Sequence, residues 1–222
     1  MNKKIDNRLL DIASFIDKCD IIADVGTDHG YLPIYLVNNN IADKAIASDI
    51  RKQPLEIAKD NIKRQGLDNK IETILTSGLD GIPSVDFVII AGMGGLLIEK
   101  ILKEKKTSNG CYVLEPNNNI ESLRRYLSSN NYKIIDEKVS YVHNKYYEIM
   151  KVIEGKKQAL SEKEIKFGPI NLIKKEENFI NKWTEIRNKN ENILAQYNLN
   201  DTQRKVIEDR IDEINKVLYE NL

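Results

Sequence analysis

The sequence lacks any apolar run near the roughly 20 residues that a membrane-spanning helix needs. Its opening stretch, MNKKIDNRLLDIASFID, has acids within the apolar periodicity, which is not the pattern of a signal peptide. Only two cysteines occur, Cys19 and Cys111, and they are far apart and without metal-ligand spacing. We therefore expect no membrane partner and no bound metal, and we predict a cytoplasmic protein with reduced thiols.

The chain also lacks an excess of charge of either sign. Its 34 basic and 34 acidic residues give a formal net charge of zero. A nucleic acid would have to be held by a local basic patch, because the whole chain supplies no attractive field. What is present is 41% hydrophobic residues in a chain of 222, enough for one large domain or for one medium domain with an appendage.

Apolar runs alternate with helical patterns from about residue 20 onward. The runs that predict strands are DIIADV, AIASDI, IETILTSG, VDFVIIAGMGG and GCYVLEPN, and helical stretches such as QPLEIAKDNIKRQGL lie between them. This alternation predicts an α/β fold with a parallel, Rossmann-like sheet covered on both faces by helices. Two more strand-like runs flank His143, Asn144 and Lys145 and predict a final antiparallel hairpin.

The composition changes after Gly155. A capping-box pattern at Ser161 and Glu164 is followed by a break at Gly168-Pro169. Beyond it, mostly apolar residues recur at alternating spacings of four and three, at Phe179, Trp183, Ile186, Asn190, Ile193 and Tyr197, and then at Ile207, Ile211, Ile214 and Leu218. This spacing predicts an antiparallel coiled coil with a turn near Asn200. We predict two domains, residues 1–155 and 156–222, with the second either structural or in contact with a ligand.

The first predicted strand ends in the sequence DVGTDHG, residues 24–30. Gly26 permits a tight turn and a close approach of the backbone to a ligand. Asp28, however, stands where a nucleotide-binding turn usually has glycine, and its carboxylate would repel a phosphate. A cationic nucleoside such as S-adenosylmethionine fits this turn better than a pyrophosphate does. The alternative is an acid that only caps a structural turn.

Three further motifs follow predicted strands. Asp49 ends the second strand and could accept hydrogen bonds from ribose hydroxyls, or it could cap the next helix. The turn TSGLDG, residues 76–81, could frame an adenine ring. The glycines of AGMGG, residues 91–95, leave bare backbone where a substrate approaches, or serve packing alone. Because ligands bind at the carboxyl ends of parallel strands, the coincidence of these motifs predicts a binding site there.

Other side chains are open to two interpretations. Tyr31 could stack on a base or pack inside the fold. Arg124, Arg125 and the cluster Lys103, Lys105 and Lys106 could contact phosphates or form solvated helix faces. His143 is expected to be a structural or solvated residue of the hairpin turn.

The motifs DVGTDHGYLP, SGL, AGMGG, LEPNNN and FGP, followed by a helical tail, resemble the bacterial tRNA (adenine(22)-N(1))-methyltransferase family. The resemblance extends over nearly the whole chain. It implies a class I methyltransferase that uses S-adenosylmethionine to methylate N1 of an adenine in the D-arm region of tRNA. No metal is implied, and we favour a monomer, although the tail could instead bind a second subunit.

The resemblance also implies site residues. The cofactor-binding set is Asp24, Gly26, Thr27, Asp28, Gly30, Asp49, Ile50, Ser77, Gly78, Leu79, Ala91 and Gly92. The predicted substrate-binding set is Tyr31, Met93 and Gly94, to which the possible basic patch adds Arg124 and Arg125. Asp28 is the first candidate to stabilise the developing charge or remove a proton, with His29 second and Tyr31 as a stacking surface. AGMGG stands where many amino-methylating enzymes have an Asn/Asp-Pro-Pro-aromatic motif, so that mechanism does not transfer directly.

Two alternatives share part of this pattern. A class I methyltransferase acting on a small molecule or a protein would have the same cofactor residues, with the tail used for oligomerisation. A non-catalytic nucleoside-binding module would use the coiled coil as an interaction arm. An NAD-linked dehydrogenase is disfavoured by the acid in the first turn and by the missing glycine.

Overall fold

The structure, a computed structural model, describes residues 5–106 and 110–219. Within them the chain forms one sheet from β1 (Cys19–Val25), β2 (Ala42–Asp49), β3 (Ile71–Leu75), β4 (Phe87–Met93), β5 (Cys111–Pro116), β6 (Tyr132–Val142) and β7 (Lys145–Glu154). The strand order is β3-β2-β1-β4-β5-β7-β6. The first five strands are parallel, and β7 lies antiparallel between β5 and β6, so the predicted fold class is confirmed.

The helices follow the predicted alternation. They are α1 (Asn7–Ala13), α2 (Tyr31–Asn38), α3 (Lys52–Arg64), α4 (Gly95–Glu104), α5 (Ile120–Ser129), α6 (Glu162–Phe167), α7 (Pro169–Lys174), α8 (Glu177–Gln196) and α9 (Asp201–Tyr219). α4 ends at Glu104 because Lys105 takes an extended backbone conformation and pairs with Glu154 of β7.

The central strands are apolar on both faces because both faces are covered. Ile22 and Ile89 point to the side packed by α1, α2 and α3, whereas Ala23, Val88 and Ile90 point to the side packed by α4 and α5. All five are fully buried. Continuous apolar runs of this kind are the sequence signature of parallel strands with two covered faces.

The helical tail begins as its sequence predicts. Ser161 and Glu164 form a capping box at the start of α6, and α7 starts at Pro169 after the break. Asn200 accepts a hydrogen bond from the Gln203 N–H and so caps α9. The seam between α8 and α9 is buried only in part: Phe179, Trp183, Asn190 and Ile214 are buried, whereas Ile193 and Tyr197 are exposed.

The tail packs on the final hairpin. Phe167, Trp183 and Ile214 form one apolar cluster with Val139 of β6. Beside this cluster the buried Arg124 of α5 bonds to Glu137 of β6 and Glu148 of β7. The division at residues 155 and 156 stays a prediction, and residues 1–4, 107–109 and 220–222 of the predicted domains lie outside the described residues.

Candidate active site

The carboxyl ends of β1, β2 and β4 meet in the middle of the sheet. β1 pairs with β2 on one side and with β4 on the other, so the strand order reverses between β1 and β4. Open α/β sheets bind ligands outside the carboxyl ends of the strands at such a reversal. The motifs that follow these three strands are therefore neighbours in space.

Gly26 brings the turn after β1 against the turn after β4. The N–H groups of Gly26 and Thr27 both donate to the Ser48 carbonyl of β2, at 2.8 Å each. The φ angle of Gly26 is +78°, and a Cβ there would lie 2.1 Å from the Met93 methyl carbon. A side chain at this position would therefore be strained and would also displace Met93.

The end of the same turn starts α2. Gly30 is the N-cap residue with a φ angle of +71°, and a Cβ there would lie 3.2 Å from the Ala58 Cβ of α3. His29 also has a positive φ, +62°. Its carbonyl accepts a hydrogen bond from the Asn61 side chain at 3.0 Å. The contact with α3 thus fixes the loop in the conformation that presents the His29 ring.

Asp24 is an acid held in a poorly solvated place. It is buried at the end of β1. Burial raises the pKa of Asp24 to about 6, with the Thr27 hydroxyl opposing the shift and the carboxylates of Asp28 and Asp49 adding to it. A cation placed near Asp24 would favour its ionised form.

Asp28, His29 and Tyr31 form a small polar group at the start of α2. The Asp28 side chain is 79% exposed, and its Oδ1 lies 3.1 Å from the His29 Nε2. The rings of His29 and Tyr31 are 5.7 Å apart and tilted. The carboxylate and imidazole are close enough to share a proton, and both face the same cavity.

Asp49 stabilises the turn after β2 without being the N-cap of α3. It is buried, and its Oδ1 accepts hydrogen bonds from the Arg51 N–H at 2.7 Å and the Arg51 Nε at 3.3 Å. The N-cap of α3 is Arg51. Both described bonds use Oδ1, which leaves Oδ2 as the oxygen for a ligand hydroxyl.

The AGMGG turn is joined to the LEPNNN turn after β5. The Asn117 side chain donates to the Gly92 carbonyl at 2.6 Å, and the Asn117 N–H donates to the Met93 carbonyl at 2.7 Å. A Cβ on Gly95 would lie 2.6 Å from the Asn119 carbonyl oxygen. At least this glycine is required for the approach of the two backbones.

Two cavities lie over these strand ends. The smaller, of about 320 Å³, is lined by Val25, Gly26, Asp49, Ile50, Arg51, Thr76, Ser77, Gly78, Ala91, Gly92, Met93, Leu97 and Ile101. The larger, of about 440 Å³, is lined by Ile5, Asp6, Arg8, Leu9, Asp24, Gly26, Asp28, His29, Tyr31, Leu32, Ala91 and His143. Gly26 and Ala91 belong to both, so the cavities adjoin at these two residues.

Most of the predicted site residues line one of the two cavities. Six do not: Thr27 and Gly30 are buried in the first turn, Leu79 is buried in the core, Gly94 is the N-cap of α4, and Arg124 and Arg125 lie on α5. Leu79 instead reaches a neighbouring cavity that shares Ser77 and Gly78 with the smaller one.

The prediction that Arg124 contacts the substrate is wrong. Its side chain is 0% exposed and is enclosed by Glu137 and Glu148. Arg125 is half exposed but paired with Glu162. The predicted basic cluster is neutralised in the same way, because Lys103, Lys105 and Lys106 pair with Glu99, Glu154 and Asp80, respectively.

Three residues of the site region were not predicted. Glu115 at the end of β5 is fully buried, and its Oε2 accepts hydrogen bonds from the Gly92 N–H at 2.9 Å and from Arg8 at 3.1 Å. Burial raises the pKa of Glu115, opposed by Arg8 and Gly92. Arg8 and His143 line the larger cavity. An acid at a strand end was the available signal for Glu115, whereas Arg8 and His143 have no local signal.

Residues 5–106 and 110–219 lack two classes of feature. No helix there is long and apolar enough to cross a membrane. The same part of the chain contains no group of three or more His, Cys, Asp or Glu side chains arranged to hold a metal ion.

The sheet order, the glycine turn after β1 and the acid ending β2 define a Rossmann-like, class I methyltransferase that uses S-adenosylmethionine. Residues 22–217 match the family model for tRNA (adenine(22)-N(1))-methyltransferase. The chain belongs to this family, and the predicted family, enzyme class and cofactor are confirmed.

Similar proteins cover almost the whole chain. The tRNA (adenine(22)-N(1))-methyltransferase of Bacillus subtilis is 31% identical over 97% of both chains. Streptococcus pneumoniae Sp1610, solved in complex with S-adenosyl-L-methionine, is 35% identical with a TM-score of 0.87, over 97% of this chain and 100% of that one. The TrmK protein of M. capricolum, solved with S-adenosyl-homocysteine, is 35% identical with a TM-score of 0.84, over 96% and 97%.

Proposed function

We propose that this protein transfers the methyl group of S-adenosylmethionine to N1 of adenine 22 in tRNA. The observation that supports this placement of cofactor and base is the pair of adjoining cavities, which share Gly26 and Ala91. The smaller takes the nucleoside of the cofactor and the larger takes the target base. The methyl group is transferred from one cavity to the other beside Gly26 and Ala91.

The acids around the site suit this cofactor. Asp24 and Asp28 lie beside the larger cavity and Asp49 beside the smaller one. Three carboxylates would repel the phosphates of a dinucleotide but attract the ammonium and sulfonium groups of S-adenosylmethionine. Asp49 holds the ribose through Oδ2, and Ser77 and Gly78 border the adenine. When bound, the cofactor supplies a methyl group already activated on sulfur.

The protein's own contribution is alignment and charge. Gly26 and Ala91 add at most one methyl group between donor and acceptor, where the Met93 methyl carbon also packs, and this small bulk favours in-line attack by the N1 lone pair. Methylated adenine is cationic, and the Asp28 carboxylate stabilises that charge. Asp28, whose Oδ1 lies 3.1 Å from the His29 Nε2, is also the first candidate to accept an N6 proton. Tyr31 stacks on the extruded base.

The helical tail has a proposed role in binding. Residues 156–222 form a domain that extends the contact with the body of tRNA, since double-stranded RNA is recognised mostly by shape and backbone. We further propose a monomer and a cytoplasmic location, where tRNA is found.

Methyl transfer from labelled S-adenosylmethionine to unmodified tRNA tests the proposal. Nuclease digestion should yield labelled 1-methyladenosine, and the label should be lost from a tRNA in which adenine 22 is replaced by guanine. Cofactor binding without any labelled nucleoside would overturn the tRNA substrate and favour a small-molecule methyltransferase or a non-catalytic module. Label in a different nucleoside would overturn the proposed base.

A further inference from the structure

The β6–β7 hairpin extends beyond the sheet on the side of the cavities. The last pair joining β5 to β7 is Leu114 with Met150, whereas β7 continues to pair with β6 as far as Lys145 with Val142. The turn between the two strands therefore projects past the carboxyl end of β5. There His143 lines the larger cavity, opposite residues of α1 and the first glycine turn.

The turn has a backbone conformation that few side chains adopt readily. His143 and Asn144 both have positive φ angles, +51° and +59°. A two-residue turn of this kind favours Asn or Gly at its central positions. The imidazole is thus held at a left-handed position that also borders the cavity.

The turn lies in a local group of cations. The Lys145 ammonium lies 4.9 Å from the centre of the Tyr147 ring, and the Arg8 guanidinium lies 5.2 Å from the same ring. Arg8 is partly neutralised by Glu115. Lys145 is exposed and forms no ion pair with a carboxylate of the described residues. By contrast, all five cations that the sequence suggested as phosphate contacts, on α4 and α5 and just after α4, are paired with carboxylates.

The larger cavity is lined mainly by acids, whereas cations lie near the hairpin turn beside it. Its lining includes three acids, Asp6, Asp24 and Asp28, against one arginine, Arg8, so that the interior disfavours an anion but accepts a neutral base. Cations at the hairpin turn favour an anion outside. An extruded nucleotide has this distribution of charge, with a neutral base and a negative phosphodiester.

We propose that His143, Lys145 and Arg8 form the contact for the phosphodiester backbone next to the target adenosine. This inference rests on the proposed function and adds the element that holds the nucleotide at the cavity. Lys145 supplies an exposed charge that makes no ion pair among the described residues, although it also acts on Glu115. Arg8 supplies a directed donor, and the sugar-phosphate lies against His143.

The first test compares two charge reversals on the same hairpin. Lys145→Glu removes the proposed contact, and Lys133→Glu is its matched control, because Lys133 is exposed at the opposite end of β6. Binding of full-length tRNA is measured with S-adenosyl-homocysteine present, so that no turnover occurs. Lys145→Glu should raise the Kd for tRNA about tenfold and lower the slope of log Kd against log salt by about 1, as expected for one lost phosphate contact. Lys133→Glu should change neither.

A neutral methylphosphonate beside adenine 22 tests the same contact from the RNA side. It should weaken binding by the wild type more than it weakens binding by Lys145→Ala, in which only the Arg8 and His143 contacts remain to be lost. Equal effects of Lys145→Glu and Lys133→Glu, or an additive effect of the methylphosphonate and Lys145→Ala, would overturn the contact. If the wild type methylates this tRNA while the two reversals behave alike, only the contact fails. If the wild type does not methylate this tRNA, the proposed function is overturned, and the proposed contact is overturned with it.

His143→Asn separates the imidazole from the turn. Asn adopts the left-handed conformation at least as readily as His, so the variant should fold with an unchanged or higher Tm. The KM for tRNA should rise severalfold, with the Kd for S-adenosylmethionine unchanged. An unchanged KM would remove His143 from the proposed contact.

Discussion

At the scale of the residue, the buried Asp24 destabilises the fold when it is ionised, but the same carboxylate can bind a cationic ligand. It is buried at the end of β1 beside two other acids, and its pKa is raised to about 6 mainly by burial. Ionising it in the folded protein is therefore harder than in the unfolded chain, where the ordinary value is 3.8. A cationic ligand near Asp24 would offset this cost of ionisation.

Asp24→Asn should stabilise the ligand-free protein at neutral pH. Because the folded-state pKa of Asp24 is the higher one, the contribution of Asp24 to stability falls as pH rises from about 4 to about 6, where Asp24 binds more protons in the folded protein than in the unfolded chain. The variant should lack this fall and gain roughly 1–3 kcal/mol at pH 8, at about 1.4 kcal/mol per pKa unit. Urea unfolding at about pH 4.5 and about pH 8 measures both effects.

The control for this prediction is Asp43→Asn, which removes an exposed carboxylate from the opposite end of β2. Its stability should follow the wild-type dependence on pH. The Asp24→Asn variant should also bind S-adenosylmethionine more weakly. Parallel pH curves for wild type and Asp24→Asn would contradict the assigned burial cost.

Arg124 and Arg125 were predicted to share one role, but only Arg125 is exposed. Arg124 and Arg125 are adjacent in sequence, but consecutive residues of a helix point about 100° apart. Ile120, Leu123 and Leu127 have helical spacing, and Arg124 falls within their stripe, so the periodicity of α5 contained the signal for its burial. The carboxylates that permit this burial come from β6 and β7, and no local pattern connects them to α5.

At the scale of the element, the turns after β4 and β5 behave as one unit. Two hydrogen bonds from Asn117 hold the Gly92 and Met93 carbonyls, and the Gly95 N–H donates to the Asn118 carbonyl at 3.0 Å. Glu115 adds a bond to the Gly92 N–H. The bare backbone at the cavity is therefore positioned from the adjacent strand, which explains why no side chain of AGMGG itself is needed for that purpose.

Gly95→Ala should disturb this unit more than Gly94→Ala does. A Cβ at Gly95 would meet backbone oxygens at 2.6 and 2.8 Å, which cannot move without separating the turns. At Gly94 it would meet the Asn118 side chain at 3.0 Å, which can rotate. Overpacking of this kind costs about 1–3 kcal/mol. We expect that loss for Gly95→Ala and a smaller one for Gly94→Ala in urea unfolding, with weaker cofactor binding only for the first. Equal stabilities would show that the close approach is not required.

At the scale of the whole molecule, a buried ionic network joins the catalytic sheet to the tail. Arg124 bonds to Glu137 and Glu148, and Lys182 of α8 pairs with Glu148. The Glu137 Oε2 accepts the Ile170 N–H at 2.9 Å. Gly168 makes room for this network, since a Cβ there would lie 2.6 Å from Glu137 and 2.7 Å from Arg124. The glycine of the FGP motif is therefore required to make room for the buried ion pairs.

Arg124→Met should be strongly destabilising, because it leaves two buried carboxylates without their common partner. Breaking a buried pair by removing one member costs about 3–5 kcal/mol. Arg125→Met is the matched control on the same helix, and its exposed pair with Glu162 should contribute little to the free energy of unfolding. Chemical denaturation compares the two. Similar midpoints for both variants would contradict the role of the network.

The sequence by itself determined the elements, the sheet class and the motifs at the strand ends. Apolar runs, helical periodicity and capping residues are local properties, so Ser161, Asn200 and the turns of Gly26 and Gly92 could be assigned without coordinates. Only the tertiary structure decided which charges are neutralised and which residues share a cavity. Arg124 pairs with residues 13 and 24 positions away, and His143 reaches the cavity because β7 continues past β5. Burial and pairing depend on contacts between distant segments, and those contacts exist only once the sheet and its tail have assembled.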